Sequence, residues 1–137
     1  MARDKLHEIV KRSLIKDGWT ITHDPYLLRV KPGQEVDLAA EKLIVADRGL
    51  EKIAVEVKSF LSASKIYKFY EALGQYISYE IGIELQEPER KLFLAIPEKV
   101  YYQLMNYTTV PLALEREKVN VIVVNPIKEV IVRWKNW

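Results

Sequence analysis

The 137-residue chain has no cysteine, so it can form no disulfide and offers a metal no thiolate ligand. Only hard oxygen ligands and two histidines remain for that purpose. Charge of one sign is scarce as well. The net balance of +2 is too small to mark a nucleic-acid-binding protein by bulk attraction, so any DNA surface has to be a local patch. No apolar run reaches the ~20 residues of a membrane span, and charges punctuate residues 1–17 where a secretion signal would be apolar. The expectation is a cytoplasmic protein with no membrane partner. Internal repeats, low-complexity tracts and linkers are also missing. With 49% hydrophobic and 29% charged residues, the composition is that of one folded domain spanning 1–137.

What is present centres on Lys52-Ile53-Ala54-Val55-Glu56-Val57-Lys58. Side chains on a strand alternate faces, so Glu56 and Lys58 share one face while Val55 and Val57 take the other. The near-continuous strand predicts burial on both faces, where unpaired charges are expensive and tend to mark a site. Upstream, Val36-Asp37-Leu38 sets another carboxylate inside an apolar run. Residues 35–46 and 50–58 read as strands joined by Asp47-Arg48-Gly49 into a β-hairpin. Pairing about that turn places Asp37 near Val57 and Lys58, close to the acid and base of the second strand.

The rest of the chain reads as α-β-β-β-α-β. A helix over 3–16 carries Leu6, Ile9, Val10 and Leu14 at helical spacing, and Asp17-Gly18 ends it. Residues 19–22 are β-prone, and Asp24-Pro25 opens a loop that runs to Gly33. A long helix over 65–86, capped by Ser62 or Ser64, carries Ile66, Phe69, Tyr70, Leu73, Tyr76, Ile77 and Ile81, an arc wide enough to predict thorough burial. A strand over 91–96, a short helix over 97–105, a loop over 106–111 and strands over 119–124 and 127–134 complete the chain. This order predicts an α/β fold, a mixed β-sheet flanked by helices.

Hydrolysis of a phosphodiester needs a divalent cation to polarise the phosphate and activate water, and a positive group to meet developing charge. Asp37, Glu56 and the carbonyl of Val57 suit Mg²⁺ or Mn²⁺, and Lys58 suits the second role. Lys68, Ala72, Gln75 and Tyr79 fall on one helical face that can point to the end of the hairpin. The plainer alternative makes Glu56 and Lys58 a salt bridge on an exposed strand, Tyr79 a core residue and Gln75 an ordinary helix former. Glu89-Arg90-Lys91 repeats the Glu-x-Lys spacing without the preceding apolar strand or the upstream Asp. Lys65 and Lys68, with Arg29 and Lys31 if their loop folds over, form the expected DNA-contacting patch. His7 and Glu8 either complete a metal or water shell or lie on the first helix's surface. Trp137, on a polar tail, predicts packing against a neighbour and so a homo-oligomer or partner contact.

Taken together, Val36-Asp37, Glu56-Val57-Lys58 and Gln75-Tyr76-Ile77-Ser78-Tyr79 resemble the PD-(D/E)xK nuclease superfamily, the restriction-endonuclease-like fold, including the Q-xxx-Y helix of its exonuclease branch. Val36 stands where that pattern usually has proline. In related Holliday-junction resolvases a catalytic Glu on the first helix precedes a Gly-aromatic pair like Gly18-Trp19. Counting back the same distance lands on His7, with Glu8 adjacent. Nearly the whole chain is similar to the cyanobacterial XisH family, the fdxN-element excision controlling factors. That similarity is carried by His7-Glu8-Ile9-Val10-Lys11, by residues 16–25 from Lys16-Asp17-Gly18-Trp19 to Asp24-Pro25, and by Ala54-Val55-Glu56-Val57-Lys58-Ser59-Phe60. The resemblance implies a role in excising a DNA element during heterocyst differentiation, beside a site-specific recombinase and the companion factor XisI. It implies either a metal-dependent endonuclease or a non-catalytic accessory protein that keeps the fold and binds DNA or a partner.

Overall fold

The computed structural model describes residues 2–44, 49–61 and 63–137. The first helix, α1 (Ala2–Lys16), buries Leu6, Ile9, Val10 and Leu14 along one face. It stops because Gly18 takes φ +94, a conformation that strains other residues, and the Trp19 N–H closes the end on the Leu14 carbonyl at 3.0 Å.

Six strands then make the main sheet. In spatial order these are β1 (Thr20–His23), β4 (Leu38–Ile44), β5 (Gly49–Val57), β6 (Arg90–Pro97), β7 (Val121–Asn125) and β8 (Val130–Lys135). The β5–β6 and β6–β7 pairs are parallel, and the outer pairs are antiparallel. Parallel neighbours need crossover connections. The long helix α2 (Lys65–Gln86) supplies the first, and α3 (Glu98–Met105) with α4 (Thr109–Arg116) supplies the second.

Strand alternation divides the core between the two faces of this sheet. Leu38, Ile53, Val55, Val57, Phe93 and Ile122 pack with Leu6, Val10, Leu14 and Trp19 on the α1 side. Ala39, Ala54, Leu92, Leu94 and Ile96 pack with Phe69, Tyr76, Tyr101 and Leu104 on the α2 and α3 side. Each fully buried large aliphatic side chain contributes about 1.5–3 kcal/mol. Tyr76 adds a polar tie across the second layer, donating its hydroxyl to the Leu92 carbonyl at 3.0 Å and accepting the Asn120 N–H at 3.1 Å.

The mixed sheet with flanking helices is as expected, but four local readings change. The strand expected over 35–46 is two strands in different sheets, β3 (Gln34–Val36) and β4, and β3 pairs with β2 (Tyr26–Leu28) in a hairpin set in the region read as loop. An unbroken strand would put Val36 and Leu38 on one face, yet Val36 packs on the α2 side and Leu38 on the α1 side, so the chain must bend at Asp37 between them. α4 occupies part of the expected loop at 106–111, because Pro111 lies in its first turn, where a missing N–H is tolerated. The wide arc of α2 is only half covered: Phe69 and Tyr76 are buried, whereas Tyr70, Ile77 and Ile81 are exposed. Trp137 packs on its own chain, its indole N–H donating to the Val119 carbonyl at 2.8 Å. The expected turn at Asp47 and Arg48 and the expected cap at Ser62 lie outside the described residues; Ser64 takes the N-cap position of α2.

Candidate functional site

The hairpin register is one residue tighter than expected. Leu38 sits opposite Val55, so Asp37 falls beside Glu56 rather than beside Lys58. The two carboxylates are held through each other's strands. The Val57 N–H donates to Asp37 Oδ2 at 2.8 Å, and the Asp37 N–H donates to Glu56 Oε1 at 3.2 Å. Both residues are buried, at 5% and 7% exposure, on the α2 side of the sheet. Lys58 Nζ reaches Glu56 Oε2 at 3.4 Å and is itself partly exposed.

That arrangement is electrostatically strained. Burial, and then the charge of Asp37, push the Glu56 carboxyl up to about 7 from an ordinary 4.5, against the opposing pull of Lys58 and of the Asp37 N–H. Two adjoining buried carboxylates make a site that a cation would favour, because it would offset the repulsion between them. Among the described residues no group of three or more His, Cys, Asp or Glu could hold a metal. The donor set is therefore Asp37, Glu56 and the neighbouring backbone, all oxygen, with water left to fill the remaining positions. This fits Mg²⁺ or Mn²⁺, which accept few carboxylates and keep their water, better than a metal that prefers nitrogen or sulfur.

Glu56, with Asp37 bonded behind it, opens onto a cavity of about 520 Å³ lined also by Val57 and Lys58 and by Lys68, Ala72, Gln75 and Tyr79 of α2. The helical face expected to point at the hairpin's end is thus the one that does. The floor turns sharply after Lys58: Phe60 takes φ 51, unusual for an aromatic residue, and is held there by burial in the α2-side core. Two acids not singled out from the sequence also line the cavity, Glu35 of β3 and Glu71 of α2. Their signals were present: Glu35 lies two residues before Asp37, and Glu71 lies three after Lys68, with which it pairs at 3.5 Å.

Other expected residues lie elsewhere. His7 Nε2 and Lys11 Nζ both bond the Asp24 carboxylate, at 2.7 and 2.8 Å, tying α1 to the turn after β1. Burial would raise the Asp24 carboxyl, but Lys11 and His7 bring it below its ordinary value. Glu8 is exposed, and neither it nor His7 lines the cavity; among the described residues of α1, Leu6 does. Lys65 and Lys68 lie at the start of α2, beside the cavity, whereas the Arg29 N–H bonds Gln86 Oε1 at the other end of the helix. At 1.5 Å per residue that is roughly 27 Å from Lys68, so the loop bearing Arg29 and Lys31 does not fold over the site. The second Glu-x-Lys match is structural. Arg90 points inward to the Glu87 carboxylate at 2.7 Å and the Ile53 carbonyl at 2.9 Å, and lies over the Tyr26 ring.

Comparison with known proteins matches residues 1–132 to the family model described as XisH protein. The chain is 38% identical to an XisH family protein of Nostoc punctiforme, with a TM-score of 0.86 over 97% of this chain and 100% of that one. It is 39% identical to an fdxN element excision controlling factor protein of Anabaena variabilis, with a TM-score of 0.85 over 97% of this chain and 99% of that one. No curated protein matches it.

Proposed function

The chain belongs to the XisH family, and from that premise we propose that it acts on DNA in the programmed excision of a genomic element, as a restriction-endonuclease-like protein with a divalent-cation site at Asp37 and Glu56. The observation that carries this reading is the reciprocal locking of Asp37 and Glu56, with Glu56 lining a cavity shared with Lys58, Lys68, Gln75 and Tyr79. Mg²⁺ or Mn²⁺ bound there would supply a Lewis acid and a more acidic water. Asp37 and Glu56 would hold it, with Val57 contributing its carbonyl. Lys58 meets negative charge as it develops on the phosphate, and Gln75 and Tyr79 orient the scissile group from the helix. Lys65 and Lys68 hold the neighbouring phosphates. The setting by family likeness is the cytoplasm of a cyanobacterial cell becoming a heterocyst, with XisI and a site-specific recombinase as partners.

The test is a Mn²⁺ titration followed by electron paramagnetic resonance, run beside cleavage of plasmid and branched DNA in Mg²⁺. Wild type should bind one ion and nick DNA; Glu56→Gln and Asp37→Asn should do neither. A second reading has its own observation. His7 is engaged by Asp24 and Glu8 is absent from the cavity lining, so neither of the α1 residues expected to complete the site does so. On that reading the protein is a non-catalytic accessory factor that binds DNA or a partner, and DNA binding without metal binding or cleavage is the result that would select it.

A further inference from the structure

Opposite its buried face, α2 exposes a stripe without a charge: Tyr67, Tyr70, Gly74, Ile77, Ile81 and Leu85. Steps of three or four residues keep these side chains within one narrow arc over about 27 Å of helix. Leu85 is 76% exposed, Tyr67 67% and Ile81 54%, a contiguous apolar strip of the kind that marks an interaction surface.

The charges of α2 run against its own dipole. Lys65 and Lys68 sit at the N-terminal end, where the macrodipole is positive, and Glu80, Glu84 and Glu87 sit at the C-terminal end, where it is negative. No acid occupies the first turn and no base the last. Burial, with the charges of Glu84 and Glu117, pushes the Glu80 carboxyl up, whereas Glu87 just past the helix is held by Arg90 and Lys52. An antiparallel neighbour with the same charge order would set the basic end of each helix beside the acidic end of the other. A parallel neighbour would set like against like.

From the stripe and this charge order we infer that α2 is the seam of a two-fold homodimer, packed antiparallel on the same stripe of a second copy. The stripe is self-complementary in that direction. Tyr67 falls opposite Leu85, Tyr70 opposite Ile81, and Ile77 opposite Gly74, above which no atom lies within 4 Å of a Cβ position. A large residue thus meets a hole near the axis, and rings meet branched side chains at either end. The flanking face with Lys68, Gln75 and Tyr79 stays clear, so each copy keeps its cavity accessible. The inference concerns the helix surface alone and does not depend on what the carboxylates do.

Sedimentation of the full chain should give twice the 16.0 kDa monomer mass. Ile77→Lys combined with Ile81→Lys should weaken association by about a hundredfold or more and leave the circular dichroism spectrum unchanged, since both side chains are exposed. A wild type that stays monomeric, or a dimer indifferent to the lysines, overturns the inference. Should the double variant fold poorly, oxidative cross-linking decides, because the chain has no cysteine of its own. Ile77→Cys, near the axis, should cross-link to its copy, and Tyr67→Cys, far from it, should not. Cross-linking at both positions indicates parallel helices, and at neither indicates another interface; each result would refute the antiparallel seam.

Discussion

Glu56→Gln separates a functional site from a structural ion pair, because the two assign it opposite effects on stability. Folding raises the Glu56 carboxyl from 4.5 to about 7. An acid raised on folding favours the native state fully only below its unfolded value, and that contribution is lost as pH climbs from about 4.5 through 7. At pH 8 the ionised carboxylate therefore opposes folding by about 3 kcal/mol, since the carboxyl rises from 4.5 to about 7 on folding. The amide removes that penalty and keeps an oxygen for the Asp37 N–H, while losing the partly exposed Lys58 pair, worth about 1 kcal/mol at most. The variant should be about 2 kcal/mol more stable at pH 8, an upward shift of roughly 6 °C in the thermal midpoint. The gain should vanish near pH 4.5. Added Mg²⁺ should raise the wild-type midpoint, by about 1.4 kcal/mol at ten times its dissociation constant, and leave the variant where it was. Melting curves from pH 4.5 to 8, with and without Mg²⁺, measure all of this. A variant destabilised at pH 8 by a few kcal/mol, with no metal effect in either protein, would refute the reasoning and make the trio a structural network.

Three further outcomes are expected. Lys65→Ala with Lys68→Ala should weaken DNA binding and flatten its dependence on salt by about two charges, read from fluorescence anisotropy across a salt series, while Arg29→Ala should change little. Arg90→Met should destabilise by about 3 kcal/mol in urea unfolding, since it leaves the Ile53 carbonyl without its donor and Glu87 with only Tyr26 and Lys52. Arg90, Tyr26 and Lys52 hold the Glu87 carboxyl down to about 2 in wild type, so that contribution is present above about 4.5 and fades as pH falls toward 2, a dependence the variant should show more weakly. Tyr76→Phe should lose about 1–3 kcal/mol, because its hydroxyl bridges the Leu92 carbonyl and the Asn120 N–H.

What could be read from the sequence followed the range of the interaction responsible. The shared face of Glu56 and Lys58 is a matter of strand parity, and the bounds of α2 follow from Ser64 and Pro88; both are local signals and both match the structure. Gln75 and Tyr79 could be placed on the hairpin side because helical spacing fixes their common face. The pairing of Asp37 with Glu56 was legible only approximately, since a turn of unknown geometry sets the register. The bend at Asp37 was hidden. It arises because Val36 and Leu38 serve opposite layers, which is decided by contacts with α2 and α1 and by nothing in their own neighbourhood. β2 and β3 are three residues each, too short to show a period between Pro25 and Pro32. The exposed stripe of α2 was read as core because periodicity counts apolar residues without saying how wide an arc the sheet can cover.

The position of the carboxylates follows from the topology of β5. This strand pairs antiparallel with β4 on one side and parallel with β6 on the other, so its C-terminal end meets the start of β4. The Lys58 N–H still bonds the Ala95 carbonyl of β6, but the chain then leaves the sheet through Ser59 and the strained Phe60, and α2 returns over the gap. Because α2 comes back from this end, its first turns, with Lys68 and the positive pole of the dipole, line the cavity beside Glu56 together with Glu71. A positive field over a buried anionic pair lowers the expense of the pair without neutralising it, as the raised Glu56 carboxyl records. An apolar or amide residue at either position would fold more easily. The fold thus buries two neighbouring carboxylates at the strand end that meets the cavity, and that is the physical ground for the proposed placement of the chemistry there.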